Sequence, residues 1–83
     1  MLKRIGIVVK PNKPEAVKES FNIAGRLRDA GYVAQTQLGG QEPADLRWTL
    51  DVQSKAPLFI LTDQIKGEKF EMQTADEVLA LLG

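Results

Sequence analysis

The residues able to do chemistry in this chain are few, and most are cations. Lys10, Asn12 and Lys13 follow directly on an apolar run, where the chain leaves a strand and turns into a helix. Open α/β sheets bind ligands at the C-terminal rim of their strands, and cations with an amide there suit an anion. Arg47, Trp48 and Lys55 form a second group. An aromatic ring among cations suits RNA, because unpaired bases stack on the ring while the cations meet phosphates. Against this stands a purely structural reading, in which Trp48 packs on a sheet and the lysines are solvated surface. Eleven basic residues balance eleven acidic ones, which favours the structural reading for each residue taken alone.

Catalytic chemistry finds little support. The chain has no histidine and no cysteine. The commonest general base, thiol nucleophiles, disulfides and the commonest transition-metal ligands are therefore excluded. Asp63 is the one acid placed at the strand rim, and starting a turn is its expected role. Gly39-Gly40 has the spacing of neither a dinucleotide fingerprint nor a phosphate loop and reads as a turn. No enzyme activity, cofactor or metal is expected.

These residues need elements to hold them. Arg4–Val9 is a continuous apolar run and reads as a central strand buried on both faces. Gly6 within it suggests a helix packed closely over it. Pro11 and Pro14 end the strand, and Asn12 with Glu15 resembles a capping box for a helix over Lys13–Ala30. Val17, Phe21, Ala24 and Leu27 give that helix its apolar stripe, with Ile23 nearby. Gly31 is the expected left-handed stop. Tyr32–Leu38 alternates more and reads as a strand nearer the sheet edge. Pro43 and Asp45 look like the first turn of a second helix. Its faces would carry Leu46 with Leu50 and Trp48 with Val52, and Pro57 would end it near Ser54 or Lys55. Leu58–Thr62 is a second continuous run and a central strand. Asp63–Glu68 reads as a hairpin connection and Lys69–Gln73 as a charged edge strand open to a partner's edge. Thr74-Ala75-Asp76-Glu77 is a capping box opening a C-terminal helix that ends at Gly83.

The expected fold is thus one α/β domain over residues 1–83, of three layers, in the order β-α-β-α-β-β-α. The mixed four-stranded sheet would have the order 2-1-3-4, with the last strand antiparallel and helices on both faces. No apolar run reaches the roughly 20 residues of a membrane span. The N-terminus lacks a signal peptide's long apolar region, so a cytoplasmic protein without membrane contact is expected.

Several segments resemble the anticodon-binding domain of class II aminoacyl-tRNA synthetases, histidyl-tRNA synthetase above all. Ala24-Gly25-Arg26-Leu27-Arg28-Asp29-Ala30-Gly31-Tyr32-Val33 is similar to its Leu-Arg-x-Ala-Gly segment. Leu38-Gly39-Gly40 resembles the turn after its second strand, and Asp45-Leu46-Arg47-Trp48-Thr49 falls where its helix has Gln-Leu-Lys-Tyr-Ala. Lys55–Leu61, the Gly67–Glu71 hairpin and Asp76–Leu82 follow in family order. Thr62-Asp63 departs from the family's Gly-Glu, and the catalytic domain has no counterpart. Arg4–Ala16 is also similar to the N-terminus of bacterial NAD kinases, but their Gly-Gly-Asp-Gly-Thr motif has no match here. What the first resemblance implies is a stand-alone, non-catalytic domain binding tRNA or other RNA through Lys10, Asn12, Lys13, Arg47, Trp48 and Lys55. The alternatives are a protein-interaction or regulatory module and a small nucleotide-binding domain.

Overall fold

The computed structural model describes residues 4–39, 44–53 and 59–82. The elements are β1 (Arg4–Val9), α1 (Pro14–Asp29), β2 (Val33–Leu38), β3 (Leu46–Val52), β4 (Phe59–Asp63), β5 (Lys69–Met72) and α2 (Ala75–Leu82). The sheet is mixed and five-stranded, in the order β2-β1-β3-β4-β5. β2 and β3 both run parallel to β1, and the remaining pairs are antiparallel.

The class is α/β, as expected, but the strand count differs. Residues 46–52 form a strand instead of a helix. Leu46-Arg47-Trp48-Thr49-Leu50-Asp51-Val52 alternates strictly, which puts all four apolar side chains on one face of a strand. On a helix the same residues would spread around the axis. Pairing with β1 on one side and β4 on the other decides the matter. β3 is inserted between β1 and β4 in the expected order 2-1-3-4, and it changes the directions: β4, expected parallel to β1, runs antiparallel to it, and β5, expected antiparallel, runs parallel to it. Gly40, Pro43, Ser54–Leu58 and Gly83 lie outside the described residues.

Both helices cover one face of this sheet. α1 packs on β1, β2 and β3, α2 packs on β4 and β5, and the helices touch each other. The structure has two layers, not three with helices on both faces. Ile5, Ile7, Val9, Ala34, Trp48, Leu50, Phe59, Leu61 and Met72 share the covered face and form one core with the helices. From α1 come Ala16, Ile23, Ala24 and Leu27, and from α2 Val78 and Leu82. Phe21, expected in the stripe, is 55% exposed. Ser20 takes the inward position and bonds Val17 O and Thr36 Oγ1.

The expected Asn12–Glu15 cap does not form. Lys13 is the N-cap, without a side-chain hydrogen bond, and Pro14 opens the first turn. The stop is as expected: Gly31 has a φ of 96°, and Tyr32 N donates to Leu27 O.

Gly6 faces away from the helices, so helix packing is not the reason for it. A Cβ there would lie 2.8 Å from Gln37 Nε2 and 3.3 Å from Ala44 Cβ. β2 and β3 flank β1 on opposite sides, yet between Leu38 and Leu46 the chain is shorter than the dozen residues a parallel crossover helix needs. Ala44, the residue leading toward β3, lies directly against Gly6.

Candidate binding surfaces

The expected site residues separate into three places. Lys10 and Asn12 are exposed beside Lys13 in the loop between β1 and α1. Lys13 Nζ donates to Asp51 Oδ1 at 2.7 Å, tying the start of α1 to β3. Arg47 and Trp48 are neighbours on a strand, so they point to opposite faces. Trp48 enters the core, where it is 8% exposed and lies 6.0 Å from Phe70 between ring centroids. Its indole Nε1 has no acceptor among the described residues. A ring so placed offers no face to a base. Arg47 is half-buried on the other side of the sheet. Lys55 lies outside the described residues.

Asp63 has the turn role expected of it. Its Oδ1 accepts from Ile65 N and Lys66 N, at 2.8 and 3.1 Å. Both carboxylate bonds are local, and its backbone N–H donates to Glu68 O, closing the hairpin.

Apart from Arg47, residues that were not expected in a site make up the second face of the sheet. Register sets them in rows across β3, β4 and β5. Thr49, Thr62 and Lys69 form one row, and Asp51, Ile60 and Glu71 form the next. Arg47 belongs with Gln64, whose backbone N–H donates to Arg47 O. Gln64 Nε2 donates to Thr49 Oγ1 at 2.6 Å, fixing the hydroxyl in place. No described helix lies over these rows. The strict alternation over 46–52 was the signal that could have located this face, because it separates Arg47, Thr49 and Asp51 from the core residues.

A hollow of about 240 Å³ opens on the same side near the start of β1, lined by Arg4, Ile5, Val33, Gln35 and Ala44. Its one cation is engaged: Arg4 Nε stands 3.6 Å from Asp45 Oδ2, and Arg4 N donates to the same oxygen at 2.8 Å. Among the described residues no three acidic side chains converge on a metal site. No described helix is long and apolar enough to cross a membrane.

No family model matches the chain, and no curated protein and no solved structure matches it.

Proposed function

We propose that this domain acts by binding, without catalysis, and that its partner is a protein received on the uncovered face of β3, β4 and β5. The observation that carries this reading is the make-up of that face. It sets Arg47 and Lys69 among Asp51 and Glu71, with hydroxyls and the half-buried Ile60 between them. Mixed signs around a small apolar centre suit a transient protein interface. RNA recognition calls for stacking rings and an excess of cations. Here the only tryptophan is in the core, and the net charge of +0 gives no long-range pull on a polyanion.

RNA is the second reading, and one observation favours it. Lys10 and Asn12 are exposed together with the half-buried Lys13, in the loop that enters α1.

An NMR titration of the labelled domain with bulk tRNA at low and moderate salt separates the two. Protein recognition predicts no shifts at the lowest salt. It also predicts that a photo-crosslinker at Thr62 traps a discrete protein in cells, and that Lys69→Glu abolishes the adduct. Shifts centred on Lys10, Lys13 and Arg47 that fade as salt rises would replace the protein reading with the RNA one, since phosphate contacts give a steep salt slope.

A further inference from the structure

The two edges of the sheet differ in a way that points to a second copy of this chain. β5 is a short edge strand of four residues and carries Lys69 and Glu71. Short charged edges resist pairing. β2 has six residues, Val33-Ala34-Gln35-Thr36-Gln37-Leu38, with no charge and no proline. Among the described residues no strand lies beyond it.

Backbone direction shows which of its groups face outward. Gly39 N donates to Val9 O, toward β1. N–H and C=O groups alternate sides along a strand, so Leu38, Thr36 and Ala34 present theirs to the free edge. Arg28 NH1 reaches from α1 and occupies Ala34 O at 2.8 Å. The N-terminal half of the edge is thus guarded by a cation, while no described group covers the outward backbone groups of Thr36 and Leu38.

The open half also carries exposed apolar side chains on the helix side of the sheet, whereas the exposed Val33 of the guarded half points to the other face. Leu38 is 50% exposed. Phe21 precedes Arg28 by two helical turns and therefore shares its side of α1. α1 returns antiparallel to β2, and Ser20 bonds Thr36. Phe21 thus stands over the C-terminal half of the edge, and it is 55% exposed. Two large apolar side chains thus flank the stretch of the edge that no described cation guards.

We propose that β2 pairs antiparallel with β2 of a second copy, about a two-fold axis at Gln37. Thr36 of each copy would then exchange both backbone hydrogen bonds with Leu38 of the other, forming a continuous ten-stranded sheet. An isologous contact brings identical surfaces together, so like charges at the paired positions would face each other; β2 itself carries none, and Arg28 stands at its other half. The axis at Gln37 keeps the partner strand clear of the Arg28 guard. Phe21 from each α1 closes over the junction. This surface is separate from the β3–β5 face, so the proposal stands or falls independently of the function proposed above.

Sedimentation equilibrium on the full chain tests the proposal, with loading from about 1 μM to about 1 mM so that mass action is visible. The expected mass rises from 9.2 kDa toward twice that value. Phe21→Lys and Leu38→Lys change exposed residues, so the fold should persist, and circular dichroism checks this. Each places like charges across the axis and should weaken association by about tenfold or more, while Glu71→Lys on β5 should not. Gln37→Cys reads the register. Facing non-hydrogen-bonded residues lie about 4.5 Å apart between Cα atoms, within reach of a disulfide. Because the chain has no other cysteine, mild oxidation should cross-link Gln37→Cys and leave Gln35→Cys uncross-linked. A 9.2 kDa species at the highest loading, or a dimer indifferent to both lysine variants, overturns the proposal. A monomer that binds a foreign extended peptide at β2 overturns it too and assigns the edge to another protein.

Discussion

At the residue scale, Gly6 and Trp48 show how a side chain's meaning depends on which face it takes. Gly6 was legible as a close approach, but the approaching group was not, because the sequence does not say which way β1 turns. Gln37 and Ala44 meet it on the side away from the helices. Two effects compete when Gly6 becomes alanine. Alanine restricts the unfolded chain and favours a strand by about 0.5–1 kcal/mol. The new Cβ meets Gln37, which is 2% exposed and has little room to withdraw; overpacking of this kind costs about 1–3 kcal/mol. Crowding wins, and Gly6→Ala should lower stability by about 1 kcal/mol. Combining it with Gln37→Ala should cost less than the two separate losses added, because the small side chain makes the room that Cβ needs. Additive losses in urea titrations would mean that Gln37 is not what crowds the site. Trp48 carries a plainer lesson. Its type and its neighbours suited base stacking, and only its place in a strict alternation assigns it to the core.

At the element scale, local signals succeeded where they were strong and failed where two of them conflicted. Pro43 and Asp45 read as a helix start, and Leu46 with Leu50 is a helical spacing. The same residues alternate apolar and polar without a break, and pairing partners on both sides turned that alternation into β3. A single sequence contains both patterns, and only tertiary pairing selects one. The Thr74 box met no such conflict. Glu77 N donates to Thr74 Oγ1 at 3.2 Å, and Glu77 Oε2 accepts from Gln73 N at 3.2 Å. α2 has eight residues, below the length at which a helix holds by itself in water. Its start therefore matters more than it would in a long helix. Thr74→Ala should cost about 1 kcal/mol, read as a lower urea midpoint at unchanged slope, and Thr74→Ser should restore most of it. If alanine proves neutral, docking alone holds α2 and the cap is incidental.

At the scale of the whole molecule, the sequence suggested one layer too many. Both continuous apolar runs implied strands buried on two sides, yet only alternate residues of each face the helices. Val8 and Ile60 are half-buried on the other face. A run of β-branched residues fits a half-covered strand as well as a sandwiched one, so layer count was not legible from it. The two-layer arrangement also spreads stability unevenly. β1 lies between β2 and β3 under α1, whereas β5 has one strand neighbour among the described residues and α2 rests on β4, β5 and the side of α1. The ion pair from α1 to α2, Arg26 NH2 to Asp76 Oδ1 at 2.7 Å, is largely exposed and contributes about 1 kcal/mol at most. What fixes α2 is Val78, which is 0% exposed, together with Leu82. Val78→Ala removes the equivalent of two methylenes from the core, worth about 2 kcal/mol with the cavity included. Native-state hydrogen exchange should find the slowest amides in β1 and faster ones in β5 and α2. In Val78→Ala, exchange in β5 and α2 should accelerate more than in β1, because α2 can leave without breaking the β2-β1-β3 ladder. Equal acceleration at every amide would instead describe one all-or-none unit, with the helix layer and the central strands opening together.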